Sequence, residues 1–288
     1  MFDREYMDYH SDRFIDHSLM FYRDGKPVAL LPANEKDSRL QSHGGLTYGG
    51  MIVGSDMRQT VMLECFLELK AYCMDNGISG IFYKTIPDIF HTQPAEEEIY
   101  ALYRFGAVPK KVEASTAINL ENPLRLSDLR KRQIKKARKE GVEILIDDSP
   151  ETFHRFMKMQ DAVLSERHGV HAVHTGDEMQ LLHERFPDRI HLFAARKDNE
   201  LLGGSIVFVY DTVVHTQYLC ANEEAKRTGA LDAAVDTIIR HYQGKKKWLD
   251  FGISTENNGY VLNEGLIAQK EGFGGRTIVY RSWELDFA

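Results

Sequence analysis

No run of apolar residues in this 288-residue chain is long enough to cross a bilayer as a helix. Cysteine is scarce. Cys65, Cys73 and Cys220 are the only three and none forms a CxxC pair, which argues against a disulfide framework or a thiolate zinc site and for buried thiols in a reducing compartment. There is no excess of positive charge either. The net charge of −7 excludes binding of nucleic acid by bulk electrostatics, so no DNA partner is expected. The opening Met1-Phe-Asp-Arg-Glu-Tyr6 is charged at once and lacks the apolar core of a secretion leader. These absences together imply a cytoplasmic protein with no membrane span.

What is present is ordinary globular composition, 43% hydrophobic and 27% charged, in a length that suits two domains or one large one. One order of elements occurs twice. Leu19–Arg23, a polar turn and Val28–Leu31 read as a β-hairpin, as do Ile190–Arg196, a polar turn and Leu201–Tyr210. A third strand follows in each, Gly45–Val53 and Val213–Cys220. Then comes a helix closed by glycine, at Gly77 and at Gly244. Next are a strand (Gly80–Lys84, Lys247–Gly252), a helix (Ile99–Phe105, Leu262–Phe273) and a last strand (Lys111–Leu120, Thr277–Phe287). Between the copies, Ser127 and Gly141 cap a basic helix that contains RKRQIKKARK, residues 130–139. Ser149-Pro150-Glu151 opens another helix, which His168-Gly169 ends, and a short helix runs over Asp177–Phe186. Three parts are expected: residues 1–123, a basic helical linker 124–141, and residues 142–288.

A hairpin followed by strand, helix, strand, helix and strand resembles the element order of the GNAT acyltransferase superfamily. The linker Lys131-Arg-Gln-Ile-Lys-Lys-Ala-Arg-Lys-Glu-Gly-Val142 resembles the segment that leads into the second GNAT half of FemABX-like proteins. Gln269-Lys-Glu-Gly-Phe-Gly-Gly275 and Asp250-Phe-Gly252 are similar to motifs near the end of the same group. The resemblance implies an α/β (α+β) fold of two tandem GNAT-like domains, each a mixed sheet flanked by helices. It also implies transfer of an acyl or aminoacyl group to an amine on a small-molecule or peptide-like acceptor, with the cleft in the second half. The best-known members extend peptidoglycan precursors from aminoacyl-tRNA, and related two-half proteins are assumed to use acyl-CoA. No permanent cofactor or metal is implied. Acyl-CoA is the donor placed first, with tRNA contact through Arg130–Lys139 as the other route.

In such a fold two parallel strands splay around the donor's arm, and the next helix meets its phosphates. Here those parts are Val213–Cys220, Lys247–Gly252 and the turn Lys226, Arg227, Thr228, Gly229, Ala230. That turn departs from the family's glycine-rich spacing, and Ala268 stands where many members have a tyrosine. Both departures keep open a second reading, a degenerate GNAT pair that binds a ligand or partner without catalysis.

Each candidate residue has a plainer role beside it. Lys270 is expected to meet an anionic group, or else to be a solvated lysine near a helix end. His215 and Tyr218 flank the cleft, His215 as the base for an attacking amine, and plain strand alternation would send one of them to the far side. Ser254 and Glu256, in the polar loop after Gly252, and Asn263, early in the next helix, read as substrate contacts, or as a solvated loop and a cap. His168, His171 and His174 recur every third residue, but the glycine between them breaks the helix. A substrate-contacting loop that includes His174 is therefore preferred to a metal site. Ser42–Gly50 is rich in glycine without phosphate-loop spacing, and its His43 and Tyr48 are groove candidates.

Overall fold

The computed structural model describes residues 1–287; the side chains of His10, Arg167 and His168 lie outside the described residues. Up to residue 123 the strands are β1 (Leu19–Arg23), β2 (Lys26–Leu31), β3 (Asn34–Lys36), β4 (Arg39–Gln41), β5 (Ile52–Val53), β6 (Gly80–Lys84) and β7 (Val108–Asn119). The α-helices there are α1 (Arg4–Met7), α2 (Gln59–Asp75) and α3 (Glu97–Arg104). Beyond them lie α4 (Asp128–Lys139), β8 (Glu143–Ile146), α5 (Pro150–His168), α6 (Gly176–Arg185), β9 (Ile190–Lys197), β10 (Glu200–Val209) and β11 (Val213–Ala221). The chain closes with α7 (Glu223–Thr228), α8 (Ala230–Tyr242), β12 (Trp248–Ile253), β13 (Thr255–Glu256), β14 (Val261–Leu262), α9 (Glu264–Glu271) and β15 (Arg276–Asp286).

The chain packs as two units, and these do not follow the linear division into 1–123, 124–141 and 142–288. One unit holds residues 1–114, 255–262 and 278 onward; the other holds 115–254 and 263–277. The last strand of each sequence copy is exchanged. Within the first unit β15 pairs antiparallel with β6, Trp283 facing Tyr83. Within the second, β7 pairs antiparallel with β12, Leu249 facing Ile118. The basic helix α4 is a packed part of the second unit rather than a linker. Ile134 and Ala137 are buried, and Arg130 and Arg138 reach Asp232 and Asp236 on α8.

In the first unit β1, β2 and β5 form their own antiparallel sheet, and its core joins Phe21, Leu31, Phe66, Leu69, Tyr83 and Leu285. The strand expected over Gly45–Val53 shrinks to Ile52–Val53 because the glycines before it are held too close to their neighbours for a regular ladder. A Cβ on Gly49 would stand 2.2 Å from the Ser42 carbonyl oxygen, and Gly50 has φ +88° against the Glu98 carboxylate. His43 and Tyr48 are buried within this unit, Tyr48 against Phe90 at 4.5 Å. Glu98 accepts from Tyr83 Oη at 2.6 Å and from the Met51 N–H at 3.1 Å, and burial pushes its carboxyl up to about 7.

In the second unit the strand order is β7-β12-β11-β10-β9-β8. Here α8 packs Val235, Ile238 and Ile239 onto Val207, Val209, Val214 and Leu249, side chains each worth about 1.5–3 kcal/mol on burial. The sequence signals for helix ends hold. Ser127 accepts from the Arg130 N–H, and Ser149 from the Thr152 N–H with Pro150 following.

Candidate active site

The second unit contains a sheet that comes apart. Parallel strands β11 and β12 share only three rungs, Val213 with Trp248, Val214 with Leu249 and His215 with Asp250. Beyond His215 the strands diverge, and the β7–β12 register breaks between Asp250 and Ile253. At the same place β11 has a bulge. Ile206 faces Tyr218 while the next residue, Val207, faces Thr216, so Gln217 is the extra residue. The bulge overturns the expected alternation. Phe208 and Ile206 lie on one face of β10, so their partners His215 and Tyr218 share a face as well.

Three polar groups sit around this vertex. His215 Nδ1 lies 2.7 Å from Asp250 Oδ2, and Asp250 Oδ1 accepts from Ser115 Oγ at 2.7 Å and from the Gly252 N–H at 3.2 Å. Asp250 is fully buried and His215 nearly so. Further along the same face, Tyr218 Oη meets His174 Nδ1 at 2.6 Å and accepts from its N–H at 3.2 Å. Thus β11 brings His174 to the site, whereas His171 is exposed and pairs with Asp161. The third group is Lys270, which is buried, not solvated. Its ammonium donates to the carbonyls of Gly252 and Ile253 and to Ser254 Oγ, each at 2.8 Å. Three donors meet three acceptors, so Lys270 and Ser254 together pin the end of β12. Burial lowers the lysine to about 8, against the pull of Asp250.

On the other face a cavity of about 620 Å³ opens between the diverging strands, lined by Thr216, Gln217, Phe251, Gln133 and Lys270 among others. Thr216 Oγ1 and Gln133 Oε1 are buried with no hydrogen-bond partner among the described residues, an uncommon state that a ligand would relieve. Arg130 and Asp232 line the cavity as an ion pair at 2.6 Å, with the guanidinium over Phe273.

The remaining candidates lie elsewhere or act locally. Asn263 caps α9 by accepting from the Leu266 N–H at 3.0 Å. Glu256 is exposed on the β13–β14 hairpin of the first unit. The expected phosphate turn is largely helical. Lys226 and Arg227 are paired to Glu223 and Glu224 one turn back, and the Thr228 hydroxyl bonds the Glu224 carbonyl at 2.9 Å. Gly229, at φ +80°, has the Gln133 carbonyl oxygen 2.5 Å from where a Cβ would stand, and Ala230 is buried behind it. Asp232 adds a carboxylate to the first turn of α8. A carbonyl oxygen and a carboxylate that is ion-paired to Arg130 thus stand beside this turn. Sequence reasoning missed Ser115 as a partner of Asp250 because the two are 135 positions apart.

The comparisons with known proteins bear on the fold. Residues 125–260 match the model of an acetyltransferase (GNAT) domain. The chain has a FemABX-like GNAT fold. FemX superposes with a TM-score of 0.69 at 10% identity over 98% of this chain and 90% of its own. L-PGS from Bacillus licheniformis gives 0.65 at 13%, over 98% and 91%. A tandem GNAT protein from the clavulanic acid biosynthesis pathway gives 0.54 at 11%, over 98% and 87%. No curated protein matches the chain. Among the described residues no helix is long and apolar enough to cross a membrane.

Proposed function

We propose that this GNAT-fold protein transfers an acyl or aminoacyl group to an amine at the gap between β11 and β12. The observation that carries the reading is the parting of the two strands immediately after a rung made by a buried histidine and aspartate. The donor's acyl-bearing arm lies in the cavity of about 620 Å³, where Thr216 Oγ1 and Gln133 Oε1 offer hydrogen-bonding groups. The amine approaches from the His215 face and gives up its proton to that ring as it attacks the acyl carbonyl. Backbone N–H groups of β11 beyond His215, which β12 leaves unpaired, steady the oxyanion of the tetrahedral intermediate. Lys270 and Ser254 hold the end of β12 and so keep the gap open.

Acyl-CoA and aminoacyl-tRNA are the two donors to compare. The Gln133 carbonyl beside Gly229 and the Asp232 carboxylate on α8 favour the second, because its phosphates need not enter there. They would meet the exposed stripe Arg132, Lys135, Lys136 and Lys139 on α4, none of which has an ion pair among the described residues. The test is transfer of radiolabel from acetyl-CoA, and separately from aminoacyl-tRNA, to a panel of small amines, amino sugars and peptides. Transfer by the wild type and its loss when Thr216→Phe fills the cavity, with melting unchanged, is the expected result. Transfer by neither donor, from a folded sample, favours the degenerate pair that binds without catalysis.

A further inference from the structure

We infer that Ser115 and Asp250 are positioning residues that fix the proton of His215 on Nδ1 and leave Nε2 as the basic atom. The inference rests on the reading of His215 as the base, and it follows from the order of donors around one carboxylate. Ser115 Oγ and the Gly252 N–H both converge on Asp250 Oδ1, at 2.7 and 3.2 Å. A backbone N–H can only donate, so Oδ1 must accept. Oδ2 faces His215 Nδ1 at 2.7 Å. An ionised carboxylate has no proton to give, so Nδ1 carries the hydrogen and donates it. The neutral ring is then the Nδ1–H tautomer, with its lone pair on Nε2.

Three strands hold this arrangement. Ser115 is on β7, Asp250 on β12 and His215 on β11, and the register places Asp250 opposite both Ala117 and His215. Ser115 and Asp250 are both fully buried, which keeps water from competing for the carboxylate. Lys270 of α9 supplies the nearby positive charge that favours ionised Asp250. When Nε2 takes the amine's proton, the imidazolium forms against a carboxylate already in contact. The proton is passed from the acceptor nitrogen to Nε2, the new amide bond forms, and the donor leaves with the electron pair of its broken acyl bond.

Asp250→Asn gives a sharp test, because Ser115 and Gly252 dictate which way the amide must turn. Its oxygen has to take the Oδ1 position to accept from them, which points the NH₂ at His215. Nδ1 then becomes an acceptor, and the proton moves to Nε2. Isotope-labelled histidine, with the His215 signals assigned from a His215→Gln sample, reports by NMR which ring nitrogen bears the proton. The wild type is expected in the Nδ1–H form and Asp250→Asn in the Nε2–H form. Turnover in Asp250→Asn should drop roughly 10²–10⁴-fold, while Ser115→Ala, which keeps the carboxylate, loses less. The wild-type spectrum needs no variant to fold beyond the assignment sample. An Nε2–H tautomer in the wild type, or no change of tautomer in a folded Asp250→Asn, overturns the inference. Full turnover in His215→Gln would instead sink the proposed base while leaving the hydrogen-bond order standing.

Discussion

Lys270 holds the main chain of residues 252 and 253 at its Nζ and closes its third hydrogen bond on Ser254 Oγ. A lysine that the sequence offered as a contact for an anionic substrate thus has all three hydrogens engaged inside the protein. In the proposed transfer its contribution runs through the position of β12.

Lys270→Met should therefore cost stability as well as activity. Truncation strands two carbonyls and a hydroxyl in a buried place, worth about 1–3 kcal/mol each at most and less after relaxation. The pH dependence separates this from simple loss of packing. The lysine is lowered to about 8 in the folded protein, below its ordinary value near 10.5. Between those values the unfolded chain binds the extra proton, so wild-type stability rises with pH across that window and falls again as pH drops through 8. Denaturant melts at several pH values should show the rise in the wild type and not in Lys270→Met.

Glu98 in the first unit gives the opposite sign. Burial raises its carboxyl to about 7, above the ordinary 4.5. Its stabilising share is complete below 4.5 and is lost as pH rises through 7, an effect on the order of 3 kcal/mol. Glu98→Gln keeps an acceptor for Tyr83 and Met51 without the charge. It should be more stable than wild type at pH 8 and match it near pH 5, as chemical denaturation at the two values will tell.

Arg130 and Asp232 lie at the cavity wall, where both side chains are largely buried. Arg130→Ala leaves a carboxylate without its partner and should cost about 3–5 kcal/mol. Arg130→Met with Asp232→Leu removes both charges and should recover most of that loss. A double-mutant cycle on urea midpoints measures it. Equal losses in the single and double variants would mean that packing, not charge, holds α4 to α8.

Much of the fold was legible because it is written in local signals. Ser127, Ser149-Pro150 and Gly141 marked helix ends, and the polar turns of both hairpins fell where they were expected. The exchange of last strands was not legible. Lys111–Leu120 and Thr277–Phe287 read alike as closing strands, and nothing local says that each pairs with the other copy. The bulge at Gln217 carries no glycine or proline, so alternation alone separated His215 from Tyr218 when they share a face. Asp250 was visible as a motif, but its link to Ser115 depends on the β7–β12 register. The phosphate turn looked merely worn in sequence. The approach of the Gln133 carbonyl to that turn comes from the packing of α4, which the sequence offered as a linker.

His215→Gln, measured for transfer and for melting together, tests the central claim most directly. Glutamine keeps a polar side chain against Asp250 but cannot take up the amine's proton. The rate of transfer should fall roughly 10²–10⁴-fold at neutral pH, with a melting temperature within a few degrees of the wild type. Undiminished transfer from a folded variant would contradict the assignment of the base at the parting of β11 and β12.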